Sequence, residues 1–134
     1  MENKIKLLSV GKKKAKSENL KSWERTVEMY APGMYELLYS AGEKDTLKQV
    51  KEFNPEIVLI LPSILQGDLL DSVQLIKDIK QLSPKTTVFV NLGMVYDEQE
   101  AIDEFMSCGA YKCYVSPVVM DTLFHDMYVA LNLE

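Results

Sequence analysis

Seven residues in the middle of the chain, EIVLILP at 56–62, narrow the fold more than any other stretch. Five aliphatic residues in a row are too few for a helix buried all round. In a strand, successive side chains point to opposite faces, so this run needs apolar cover on both. A parallel sheet supplies that cover, because its crossover helices lie on the two faces. Four further runs read as strands of the same kind: Ile5–Val10, MYELLYS (34–40), TTVFVNLG (86–93) and AYKCYVS (110–116). Between them fall helical stripes. Leu20, Trp23, Val27 and Tyr30 follow an N-cap at Ser17 and stop at APG (31–33). Leu47, Val50 and Phe53 form the inner face of a helix closed by Asn54-Pro55. Leu70, Val73, Ile76 and Ile79 run up to Ser83-Pro84. The segment 97–109 turns Ala101 and Phe105 inward and stops at Gly109, and Leu123, Met127 and Leu131 mark a last helix. Five strands alternating with five helices predict an α/β fold: a five-stranded parallel sheet, doubly wound (βα)5, flavodoxin-like, with strand order 2-1-3-4-5.

The totals limit what such a fold is used for. With 134 residues, 47% hydrophobic and 26% charged, residues 1–134 are expected to form one soluble domain. The domain is either free-standing or the N-terminal part of a longer protein. No apolar run approaches the roughly 20 residues of a membrane span, and MENKIKLL lacks the apolar block of a secretory leader. A cytoplasmic location without membrane attachment is expected. Cys108 and Cys113 are too few for a disulfide framework, and with His125 the only histidine no zinc site is expected. His125 reads as a surface residue and the cysteines as buried small hydrophobes. The net charge of −5 is unevenly spread. Residues 1–22 hold seven lysines against Glu2 and Glu18, a balance of +5, whereas residues 23–134 balance at −10. An acidic body repels the nucleic-acid backbone, so direct nucleic-acid binding by this domain is not expected.

Three stretches carry a family resemblance. NPEIVLILP (54–62), CGAYKCYVSPV (108–118) and KIKLLSVGK (4–12) resemble the third, fifth and first strands of response-regulator receiver domains. The Gly109-Ala110 pair and Pro117 at matching distance are the most specific parts. The resemblance spans essentially the whole chain and implies the receiver-like form of the fold predicted above. It also implies a chemistry: carboxylates that hold Mg²⁺, an Asp that accepts a phosphoryl group, and a Lys that steadies its charge. Carried over position by position, the acid pair falls on Gly11 and Lys12, and the phosphorylated Asp on Leu61. The switch hydroxyl falls near Leu92, and the lysine before proline on Ser116. None of the reactive groups is present. No carboxylate lies between Ile57 and Gly67, nor between Ile5 and Ser17, so a shift of register does not restore the site. Leucine at 61 and 92 then fits core filling, since a buried Asp without its metal is costly. The resemblance also implies a cis peptide at Ser116-Pro117.

Two features remain for recognition. Lys12, Lys13, Lys14 and Lys16 stand just before a predicted helix start, a place that favours anions. No Walker pattern accompanies them. The segment with Asp97, Glu98, Glu100, Asp103 and Glu104 holds no basic residue. Tyr111, Tyr114, Val118, Val119, Met120, Phe124 and Tyr128 follow it, more large apolar side chains than one helix face buries. Receivers use their fourth helix, fifth strand and fifth helix for dimers or targets. The expected function is therefore that of a non-enzymatic, atypical receiver domain acting through a protein partner or a homodimer on that face. It would need neither Asp phosphorylation nor Mg²⁺, nor any cofactor. The resemblance also admits the N-terminal module of a pilus-assembly localisation ATPase or of a transcription regulator. The alternative from another class is a sensor of an anion, nucleotide or small molecule that uses the lysine loop.

Overall fold

The aliphatic run at 56–62 supplies the third strand of the sheet, and the other elements take up places around it. The structure, a computed structural model, describes residues 4–11, 16–60, 69–93, 98–115 and 120–132. In chain order these form β1 (Ile5–Gly11), α1 (Lys16–Tyr30), β2 (Tyr35–Ala41), α2 (Glu43–Phe53) and β3 (Ile57–Ile60). They continue with α3 (Leu69–Leu82), β4 (Thr87–Gly93), α4 (Glu98–Cys108), β5 (Lys112–Val115) and α5 (Met120–Asn132). All neighbouring strands are parallel, in the order β2-β1-β3-β4-β5. This is the predicted (βα)5 arrangement. No helix among the described residues is long and apolar enough to cross a membrane.

The two-sided burial of the central strands is visible residue by residue. Val58 and Ile60 of β3, with Leu8 and Val10 of β1, face a core shared with α2, α3 and α4. Ile57 and Leu59, with Leu7, face the opposite core under α1 and α5. All four β3 residues are buried. The register sets Leu7 against Ile57 and Val10 against Ile60, so β1 and β3 run side by side to their C-terminal ends. On the α1/α5 side Phe89 of β4 is fully buried. On the other side Phe105 and the α3 stripe of Val73, Ile76 and Ile79 fill the space, with Leu75 added to it. Each such side chain contributes about 2 kcal/mol by leaving water.

Three expectations about side chains need correction. Phe53, assigned to the inner face of α2, is 40% exposed. It sits at the last residue of the helix, where Asn54 turns left-handed (φ 48°) and the chain leaves the core. The buried place on α2 goes to Thr46, whose hydroxyl lies 2.7 Å from Ser40 Oγ and 2.7 Å from the Gly42 carbonyl. Tyr30, read as inward-facing, is 41% exposed and stacks on Phe124 with ring centroids 5.4 Å apart. Cys108 and Cys113 are half-buried and not fully enclosed. The side chains of Leu20, Leu70 and Ala101, counted inward above, lie outside the described residues.

Gly109 ends α4 at φ +122°, a conformation that side-chain-bearing residues rarely adopt. A Cβ there would meet Lys80 Cγ at 3.0 Å. Lys80 is itself held, since its ammonium donates to the carbonyls of Pro84 (2.9 Å) and Thr86 (2.6 Å). Gly109→Ala is therefore expected to destabilise the domain by about 1–3 kcal/mol. Urea unfolding should show a lower midpoint with an unchanged slope.

Candidate interaction surface

The resemblance places receiver chemistry at the C-terminal ends of the strands. Gly11 closes β1, paired with Ala41, and Val10 is level with Ile60. Leu92 lies in β4 at an irregularity between Asn91 and Gly93 in its pairing with β5. Its side chain lies outside the described residues, as does that of Lys16, the first residue of α1. Lys12, Lys13, Lys14, Leu61, Ser116 and Pro117 also lie outside them, and with them the predicted cis peptide. Among the described residues no group of three or more His, Cys, Asp or Glu side chains is placed to hold a metal ion.

The second predicted site, the surface of α4, β5 and α5, is mostly described. Asp97 lies outside, and Glu98 opens α4 with its side chain outside. Glu100, Asp103 and Glu104 are exposed along the helix, and Gln99 Nε2 donates to Asp103 Oδ1 at 2.8 Å. The acidic segment is thus a solvated face, helped by the positive N-terminal end of α4. Tyr111, just before β5, is 43% exposed. Its N–H donates to the Val88 carbonyl at 2.7 Å, and its ring leans on Phe89 with centroids 5.3 Å apart. Tyr111 is thus an anchored ring with an open edge.

Next to it lies a polar cluster that links β5 to α5. Lys112 and Tyr114 are two residues apart on a strand and so share one face. Both reach the carboxylate of Asp126: Tyr114 Oη donates to Oδ2 at 2.6 Å and Lys112 Nζ lies 3.2 Å from the same oxygen. The Asp126 side chain is 15% exposed against 50% for Lys112, so the carboxylate is the sheltered partner. Burial by itself raises the Asp126 pKa, but the Tyr114 hydroxyl and the Lys112 ammonium outweigh it, and the carboxyl stays below its ordinary range. Burial and the same hydrogen bond push the Tyr114 phenol up, which keeps it protonated as a donor. On α4 and β5, burial raises both thiols, and that of Cys113 is pushed up to about 11, with the nearby Cys108 adding to it. Thiols held protonated are poor nucleophiles at neutral pH.

Three of the side chains assigned to this surface do not belong to it as expected. Phe124 is only 7% exposed, buried beneath α1 by ring contacts with Trp23, Tyr30 and Tyr35. Met120 is half-buried against the same α1/α5 core. Tyr128 is exposed, but it shares a cavity wall with Tyr30 and Tyr35 on the α1 side. Val118 and Val119 lie outside the described residues. The surface therefore reduces to Tyr111, Lys112, Tyr114, Asp126 and the acidic rim of α4. Sequence reasoning passed over Asp126 and Lys112. The two-residue spacing of Lys112 and Tyr114 was the available signal, but only the packing of α5 on β5 shows what they share.

The Asp126 cluster makes stability depend on acid. A carboxyl whose folded pKa lies below its unfolded value of about 3.9 stabilises the fold above that value. The contribution is lost as the pH falls through the folded pKa. Wild-type protein should thus lose stability below about pH 4 more steeply than Asp126→Asn. Tyr114→Phe should cost about 1 kcal/mol at neutral pH. Urea titrations at a series of pH values read both effects.

No protein-family model matches the chain, and no curated protein matches its sequence. Solved structures match its fold closely. A CheY-like response-regulator receiver domain protein from Methanospirillum hungatei superposes with a TM-score of 0.78 at 16% identity, over 98% of this chain and 96% of that one. A response-regulator receiver domain from Clostridium thermocellum gives 0.77 at 18% identity, covering 96% and 95%. The receiver domain of NtrX from Brucella abortus gives 0.72 at 21%, covering 96% and 99%. With strand order, helix placement and length all in agreement, the chain has the fold of the response-regulator receiver domains.

Proposed function

We propose that this chain is a signalling module that works through protein contacts, as an atypical receiver without phosphoryl chemistry. The observation that carries the reading is the identity of the residues following the two central strands. In receivers the metal-binding acids and the phosphorylated Asp stand there. In this chain β1 runs out into Gly11 and Lys12, and β3 is followed by Leu61. A leucine offers no nucleophile, and a lysine repels Mg²⁺ where the ion would need oxygen ligands. The pairing of Val10 with Ile60 supports the alignment, because it brings both strands to their ends at one level.

The face for the contact is the one formed by α4, β5 and α5. Tyr111 presents an exposed aromatic ring next to the exposed Lys112, and Glu100, Asp103 and Glu104 are exposed along α4. An aromatic anchor inside a charged rim is how a protein contact surface is built. The Tyr114–Asp126 hydrogen bond ties β5 to α5 and holds that face rigid before a partner arrives. The occupant is a protein partner or a second copy of the chain.

Incubation with acetyl phosphate and Mg²⁺ is expected to leave the intact mass unchanged; a phosphoryl adduct on the chain would refute the reading. In size-exclusion chromatography with light scattering, self-association through this face would appear as a concentration-dependent mass. Tyr111→Asp is expected to return that mass to the monomer value. Tyr111 is 43% exposed and stands just before β5, outside the strand, so the variant should keep its fold.

A further inference from the structure

The two edges of the sheet are guarded differently, and the less guarded one lies away from the β5 face. An edge strand presents unpaired N–H and C=O groups, which proteins blunt with short strands, bulges, proline or lysine. β5 has several of these guards: it is four residues long, carries Lys112 and pairs with β4 through an irregularity. β2, at the opposite edge, has none of them. Its seven residues, YELLYSA from Tyr35 to Ala41, pair with β1 in unbroken register. They include no proline, no lysine and one charge, Glu36.

Hydrogen-bond alternation fixes which backbone groups of β2 point outward. In a parallel ladder, alternate residues of a strand serve each neighbour. The Ile5 N–H donates to the Met34 carbonyl at 3.0 Å, and Ile5 is level with Tyr35. By the same alternation Glu36, Leu38 and Ser40 serve β1, so Tyr35, Leu37 and Tyr39 turn their N–H and C=O groups away from it. One of these is capped. Gln49 of α2 donates from Nε2 to the Tyr39 carbonyl at 2.8 Å, and Asp45 holds the same nitrogen at 3.3 Å. Among the described residues no side chain caps Leu37 in this way. Leu37 is half-buried, with Glu36 exposed beside it. The open length of the edge therefore centres on Leu37.

Such an edge accepts an added strand, whose backbone gives affinity and whose alternate side chains give specificity. The two faces of β2 set the chemistry of that strand. Leu37 leans on the α1-side core and Leu38 on the α2-side core. Glu36 shares the Leu38 face. Lys6, level with Glu36 on β1, turns its ammonium to the Phe53 carbonyl at 3.2 Å, and among the described residues no ion pair engages Glu36. An added strand gains from apolar residues beside Leu37 and a basic one beside Glu36. A second copy fits poorly. Antiparallel pairing about Leu37 would set Tyr35 of one copy against the capped Tyr39 of the other, and would join two chains of net charge −5. We propose that the β2 edge binds an extended segment of a partner protein, alternately basic and apolar, as a sixth strand of the sheet.

The probe is the hexapeptide acetyl-Thr-Lys-Val-Lys-Val-Thr-amide, titrated into the 134-residue chain and followed by amide NMR and hydrogen exchange. Saturable shifts are expected at Glu36, Leu37 and Leu38. Exchange of the Leu37 N–H should slow about tenfold once about nine-tenths of the chain is bound. The Leu38 N–H already serves β1 and should change little. Glutamate in place of both lysines should weaken binding about fivefold, and Glu36→Lys should reverse that preference. Methylating the backbone nitrogens of the peptide keeps its side chains but removes its donors, and is expected to abolish binding. The site is refuted if the peptide fails to saturate at millimolar concentration, if the shifts fall on Tyr111 and α4 instead, or if the methylated peptide binds equally well. Protection of the Leu37 N–H that grows with protein concentration, without peptide, would overturn the partner strand in favour of a second copy.

Discussion

Burial of β3 on both of its faces is the constraint on which the rest of the molecule depends. Ile57 and Leu59 need cover on one side, Val58 and Ile60 on the other. A single layer of helices would leave half of that strand in water. With α1 and α5 on one face and α2, α3 and α4 on the other, both cores close and the strands between them become parallel. Each crossover then returns the chain to the same end of the sheet, which is why one set of loops ends up where ligands and metals sit in folds of this kind.

Two kinds of surface follow from that layering. The edge of the sheet at β5 is short, four residues, and is protected by a charged residue, Lys112, that an edge strand can carry without harm. Its tie to α5 through Asp126 converts an edge into a stiff face with Tyr111 at its rim. At the opposite edge, β2 begins with Tyr35 beneath α1, and the gap between α1 and α5 is filled by rings instead of aliphatic chains. Rings pack with centroids 5–7 Å apart and leave spaces at their edges, which aliphatic side chains would close. The cavity between α1 and α5 is a product of that choice of residues.

Much of the architecture was legible along the chain. The five apolar runs and the five stripes all became elements, and the stops at Gly109 and Asn54-Pro55 ended helices as expected. The errors fell at helix ends and on aromatic residues. Phe53 and Tyr30 have the right spacing to face inward, but each is the last residue of its helix, where the core has already run out. Phe124 was assigned to a surface because an aromatic surplus follows α4, and the rings of α1 and β2 took it in instead. Periodicity reports which way a side chain points, and not whether anything stands opposite it.

The sequence by itself determined the class of fold and which residues follow the two central strands, Lys12 after β1 and Leu61 after β3. Both are local properties: a strand's need for cover is written in its own residues, and a leucine lacks a carboxylate whatever surrounds it. Only the tertiary structure decided which side chains meet. Lys112, Tyr114 and Asp126 converge because α5 packs across β5, and Tyr30, Tyr35 and Phe124 converge because α1 and α5 share one face of the sheet. Contacts between residues so far apart in the chain are set by how helices seat on a twisted sheet, and no single segment encodes that seating.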